Sequence, residues 1–192
     1  MSLTAPTYKM NRHARYLEQQ GLNKHLEEWT EGHTVFGTLK FANGFLTPEE
    51  KADKAHRLFW QKIDRTFFPT AAVKSGIRIP RVCFKHFGSS GENIHYHFTA
   101  NVGDIFTFRR VAEVHWKQSD KHTGTIQIET IRDRTDARHY LAHEYKSIGS
   151  KTLDETTTHW NVPEYDAGKY KTISQLRRLL KTYESYSDTF NT

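Results

Sequence analysis

The sequence predicts an α+β fold, an antiparallel sheet backed by helices, on two observations. From His33 to Ile131, segments with two-residue and 3.6-residue hydrophobic periods follow one another in the order β-α-β-β-α-β. The two middle strand segments, "RVCFKHF" and "IHYHFTA", are joined by the turn-rich "GSSGEN", which makes them an antiparallel hairpin. This is the split βαβ, or ferredoxin-like, arrangement.

Each element has its own signal. In residues 1–32, Tyr16, Leu17, Leu22, Leu26 and Trp29 recur at helical spacing, so this extension is expected to pack as an amphipathic helix outside the core. "HTVFGTLKF" alternates, is rich in aromatic and β-branched residues, and ends at "ANG". "TPEE" then reads as a helix start with Thr47 as N-cap, Pro48 at the first helical position and Glu50 completing a capping box. Ala52, Ala55, Phe59 and Ile63 give that helix its inner face, as Phe108, Val111, Ala112 and His115 do for "TFRRVAEVHW". "TIQIETI" is the fourth strand. "RTDARHYLAHEYKSI" is expected as one continuous helix with Ala137, Leu141, Tyr145 and Ile148 facing the core, and "ISQLRRLLKTYESY" as a basic amphipathic helix. The expected organisation is an extension (1–32), a core (33–151) and a C-terminal helical segment (152–192) packed on it, forming a single domain overall.

A chain of 192 residues is long enough to bury a core, and 36% hydrophobic with 26% charged residues suits a water-soluble domain. No apolar run approaches the ~20 residues that span a bilayer, and the N-terminus lacks the apolar stretch of a signal peptide, so a cytoplasmic protein is expected. The single cysteine, Cys83, excludes an internal disulfide and a thiolate zinc finger. A net charge of +6 favours polyanionic partners.

In "HYH", His95 and His97 stand two apart in a strand and share one face. Alternation in "RVCFKHF" puts Val82, Phe84 and His86 on one face, and the hairpin can bring His86 alongside the pair. Three neutral imidazoles meeting there make an open metal site, with Glu92 in the turn as the alternative third ligand; such a triad favours Mn, Zn, Co or Ni over Mg. A bare H-x-H also fits two polar residues on a solvated sheet face. Downstream, Tyr145 falls in the apolar stripe of its helix and reads as a packing residue. Tyr140 lies on a polar flank near Glu144, which suits either an amphipathic tyrosine at the core edge or a hydroxyl free to react.

The ordered trio "FGTLKF", "HYHF" and "YLAHEYK" resembles the three motifs of the HUH endonucleases, in particular the rolling-circle replication initiators of plasmids, phages and single-stranded DNA viruses. The resemblance runs from about Thr34 to Lys151. It implies the HUH nuclease fold, a divalent metal (Mn²⁺ or Mg²⁺, with Zn, Co or Ni compatible) on His86, His95 and His97, and Tyr140 as the nucleophile that nicks single-stranded DNA at a replication origin. Members usually carry lysine three residues after the tyrosine; here His143 stands there, so His143, Glu144 and Lys146 are the local groups expected to assist. Arg109, Arg110, Lys117 and Lys121 are candidate phosphate contacts, and Tyr96, Trp116 and Phe106 candidate stacking residues; a core position for Tyr96 and a solvated face for the basic run are the alternatives. The resemblance also implies an origin hairpin and host replication proteins as partners, and a eukaryotic host nucleus as the compartment if the source is such a virus. A single-tyrosine transposase, a catalytically silent nucleic-acid-binding module and a metalloprotein acting on a small molecule are the competing expectations.

Overall fold

The computed structural model of the chain describes residues 12–160. Four strands, β1 (Val35–Phe41), β2 (Arg81–His86), β3 (His95–Ala100) and β4 (Thr123–Thr130), form one antiparallel sheet in the order β2-β3-β1-β4. Both β1 and β2 run antiparallel to β3, which lies between them, so β1 and β2 are the split parallel pair. The helices are α1 (Arg12–Trp29), α2 (Glu49–Phe67), α3 (Thr70–Lys74), α4 (Ile105–Lys117), α5 (Arg134–Leu141) and α6 (Tyr145–Ile148). The expected α+β fold with its β-α-β-β-α-β order is therefore present. The basic helix expected near the C-terminus lies outside the described residues.

Strand alternation divides the protein into two cores. On one face Val35, Leu39, Cys83, Tyr96 and Phe98 pack against the inner faces of α2 and α4, with Phe59, Trp60, Phe108 and Trp116 fully buried. Each such apolar side chain contributes about 1.5–3 kcal/mol of burial free energy. Gly37 belongs to this face because any side chain there would run into the Phe98 ring. On the opposite face Leu22 and Leu26 of α1, with Leu141 and Ala142, cover Val82 and Phe84. That cover reaches Phe36 of β1 and stops short of β4, where Gln127 and Glu129 are exposed opposite Thr38 and Phe36. One face thus has a packed half and an open half, and the histidines lie between them.

Two local expectations are corrected. Thr47 does not cap α2: its hydroxyl donates to the Asn43 carbonyl at 2.8 Å, and the helix starts at Glu49 with Pro48 as its uncapped N-cap. The pre-proline residue is pushed out of helical geometry, and Thr47 is extended (φ −86°, ψ 113°). The expected helix 134–148 is broken into α5 and α6. The Leu141 carbonyl accepts from His86, and Glu144 is drawn to the β2–β3 turn, so tertiary bonds replace the continued helical ladder.

A buried ion pair ties α2 to β2. Arg81 donates to Asp64 through Nη1 (2.8 Å) and Nη2 (3.0 Å) and to the Thr157 carbonyl through Nε (2.7 Å). Removing one partner strands the other charge in the interior, so Asp64→Ala is expected to cost about 3–5 kcal/mol, measured by denaturant unfolding.

Two further buried histidines make stability depend on pH. Burial, with Arg134 nearby, holds His33 down to about 4, and burial with Lys62 nearby does the same to His115. Both stay neutral in the fold while the unfolded chain takes up protons below pH 6.5, so their contribution is complete above 6.5 and lost as pH falls toward 4. Denaturant unfolding at pH 7 and pH 5 is expected to differ by about 1–2 kcal/mol per histidine, the lower pH being less stable.

Candidate metal centre and its tyrosine

The β2–β3 pairing sets His86 opposite His95, and alternation brings His97 to the same face. The expected triad is formed: His86, His95 and His97 present ring nitrogens that all lie within 4.8 Å of one another. Their ring centroids are 4.5 Å (His86–His97), 4.9 Å (His95–His97) and 5.5 Å (His86–His95) apart. Glu92, the alternative ligand, is exposed in the turn and joins no such group among the described residues.

Each imidazole has one nitrogen fixed by the protein. His86 Nε2–H donates to the Leu141 carbonyl and His95 Nδ1–H to the Asn93 carbonyl, both at 2.8 Å. His97 Nδ1 is 3.0 Å from the Thr38 hydroxyl. The carbonyl bonds set the tautomers of His86 and His95, leaving His86 Nδ1 and His95 Nε2 with lone pairs. His86 Nδ1 and His97 Nε2 are buried and have no hydrogen-bond partner. Orphaned nitrogens of this kind are costly in an interior, and a cation at the centre of the cluster would relieve them. Burial lowers all three pKa values, His86 to about 3 and His97 to about 2, so the rings are neutral, as metal ligation requires. The residues present therefore fit a divalent ion.

Tyr140, near the end of α5, faces the same cluster. Its ring centroid is 4.9 Å from that of His97 and 5.1 Å from that of His143, and the side chain is 55% exposed. Phe36 supports it edge-on at 5.7 Å. Tyr145 is separate: its hydroxyl donates to Glu18 at 2.6 Å, and burial together with that carboxylate raises its pKa to about 12. Lys146 is in α6, and its side chain lies outside those described.

Two concavities, of about 830 and 340 Å³, meet at Thr38, Gln127 and Tyr140 and form one groove over the open half of the sheet. One end carries Arg109 and Arg132 together with Glu129 and Asp136; the other carries Lys40 and Phe45 beside His95 and His97. Of the expected phosphate contacts, Arg109 lines the groove, with Nη2 donating to the Ile128 carbonyl at 2.7 Å. Arg110, Lys117 and Lys121 are exposed and do not line it. Trp116 and Tyr96 are fully buried on the far face and cannot stack on a base, whereas Phe106 is exposed. Sequence reasoning missed Thr38, Lys40, Phe45 and Gln127. Thr38 and Lys40 were legible in principle, since both belong to the histidine face of β1.

No family model matches the chain, and no curated protein or solved structure is significantly similar to it.

Proposed function

We propose that the protein is a metal-dependent endonuclease and strand transferase. It would nick and rejoin single-stranded DNA through a 5′-phosphotyrosine intermediate, initiating rolling-circle replication of a plasmid, phage or single-stranded DNA virus. The observation that carries this reading is the proximity of an exposed phenol to three ligand-ready imidazoles: Tyr140 and His97 have ring centroids 4.9 Å apart at the floor of a groove. One phosphate group can reach both.

His86, His95 and His97 are the residues that would hold a divalent cation, Mn²⁺ or Mg²⁺, whose contribution is Lewis-acid polarisation of a non-bridging phosphate oxygen. Tyr140 Oη attacks phosphorus: the Oη–P bond forms as the P–O3′ bond breaks, the phenolic proton passes to water, and the departing oxygen takes one up. The products are a 5′-phosphotyrosyl protein and a free 3′-OH. The phosphotyrosyl bond keeps the free energy of the original phosphodiester, so attack by a 3′-OH rejoins the strand without ATP. Lys40, opposite His95 on β1, lines the same groove as Tyr140 and would supply the positive charge that a lysine after the tyrosine gives in the HUH family. Burial is the main cause of the lowered His95 and His97 pKa values, and the Lys40 charge adds a minor part in the same direction.

The groove suits a single strand, since a duplex would keep the scissile phosphate from the tyrosine. Phe45, 58% exposed at the groove's edge, offers a stacking surface for a base. The proposed partners are origin DNA, including a hairpin, and host replication proteins. The proposed compartment is the cytoplasm of a bacterial or archaeal host, or the nucleus for a eukaryotic virus. No helix among the described residues is long and apolar enough to cross a membrane.

Incubation with a labelled single-stranded oligonucleotide pool and Mn²⁺ tests the proposal. Cleavage with a covalent protein–DNA band, reversibly stopped by chelator, is the expected result. Binding without cleavage of any sequence would favour a catalytically silent module, and undiminished cleavage in chelator would remove the histidines from the mechanism. Without DNA, Mn²⁺ at about 100 times its Kd is expected to stabilise the fold by about 2.7 kcal/mol, read as a chelator-reversible rise in Tm.

A further inference from the structure

The three sheet histidines have a neighbour arranged in the same way. His143 Nδ1–H donates to the Tyr140 carbonyl at 2.7 Å, leaving Nε2 with a lone pair. That Nε2 lies 3.8 Å from Glu144 Oε1, and the same oxygen lies 3.8 Å from His86 Nδ1. His86 is the shared vertex of two donor groups, one with His95 and His97 and one with His143 and Glu144, the atoms of each lying within 4.8 Å of one another. The His143 and His97 rings are both 4.5 Å from the His86 ring. Two nitrogens about 2.1 Å from one ion at a tetrahedral angle are ~3.4 Å apart, so each group must contract, and the His143 ring, whose centroid is 6.3 Å from that of His97, must move toward the triad to share its ion.

The two residues of the broken helix differ in freedom. Glu144 is anchored: its oxygens accept from the backbone amides of Phe87 (2.7 Å) and Gly88 (2.8 Å), which fastens the turn after α5 to the end of β2. The His143 side chain is 45% exposed, and its Nδ1 is held on the Tyr140 carbonyl, so an approach to His86 carries the Tyr140 segment with it.

We infer that His143 is a fourth imidazole donor to the same divalent cation, carried by the segment that bears Tyr140, so that cation binding itself clamps the nucleophile against the sheet. The inference rests on the three-histidine reading of the site. It gives His143 a role other than replacing the lysine's charge. It also links Tyr140 to the ion through one hydrogen bond, because His143 Nδ1–H donates to the Tyr140 carbonyl.

Co²⁺ is a suitable probe, since its visible absorption reports ligand number and type. The experiment is an optical titration of the full chain and of His143→Ala, His143→Gln and His97→Ala, together with hydrogen exchange over residues 134–148 with and without Co²⁺. The expected result is at least tenfold weaker binding and an altered spectrum in both His143 variants, with Co²⁺-induced protection of 134–148 in the wild type only. Wild-type affinity and spectrum in folded His143 variants, with binding lost in His97→Ala, would overturn the fourth donor and leave the triad standing. Absence of Co²⁺ binding by the wild type would overturn both.

Discussion

Tyr140→Phe is expected to abolish the covalent protein–DNA product, lowering strand cleavage by about 10⁴-fold or more, as loss of a nucleophile generally does. The substitution removes one oxygen and keeps the ring. The edge contacts to Phe36 and His97 survive, and so does the folded state. The Tyr140 hydroxyl has no hydrogen-bond partner among those described, so its loss strands no buried polar group. Single-strand affinity is therefore expected to stay within a few-fold of wild type. The parallel change Tyr145→Phe is expected to leave cleavage intact. It breaks the bond to Glu18, which links α6 to α1, and so lowers stability by about 1 kcal/mol. An adduct that persists in Tyr140→Phe and vanishes in Tyr145→Phe would reverse these roles.

His97→Ala is expected to be nearly as severe in activity. Of the three imidazoles, His97 gives the clearest reading. His86 also holds the Leu141 carbonyl at the end of the tyrosine helix, and His95 holds the Asn93 carbonyl of its own turn. Their removal would loosen structure as well as ligation. His97 bonds only the Thr38 hydroxyl, and its Nε2 is already unpartnered in the interior. Truncation leaves a small cavity and removes an unsatisfied nitrogen, two effects of opposite sign on stability. Metal affinity is expected to fall at least 100-fold, and adduct formation to fall to the level of wild type in chelator. A variant that binds Mn²⁺ normally would place the ion elsewhere.

The sequence carried the sheet well because every strand is aromatic or β-branched and alternates, and period two fixes which residues share a face. That made His86, His95 and His97 legible as a cluster from one hairpin and one parity argument. The tyrosine segment was harder. Its 3.6-residue stripe is continuous through residue 148, and nothing local announces the break after Leu141. The break comes from long-range bonds, His86 to Leu141 and Glu144 to Phe87 and Gly88, which no window along the chain contains. The same holds for the groove. Lys40 and Gln127 are ordinary polar strand residues until the order β2-β3-β1-β4 leaves their half of the sheet uncovered. The N-cap at Thr47 failed for a local reason: the following proline favours an extended residue before it, and the hydroxyl found the Asn43 carbonyl instead.

Catalysis as proposed needs a cation held by sheet imidazoles facing the Tyr140 phenol. Anomalous diffraction at the manganese edge, on crystals of the protein grown with Mn²⁺, tests this most directly. A single peak bonded to His86 Nδ1, His95 Nε2 and His97 Nε2, on the Tyr140 side of the sheet, is the predicted result. Manganese bound at some other cluster, with these three nitrogens left unligated, would contradict it.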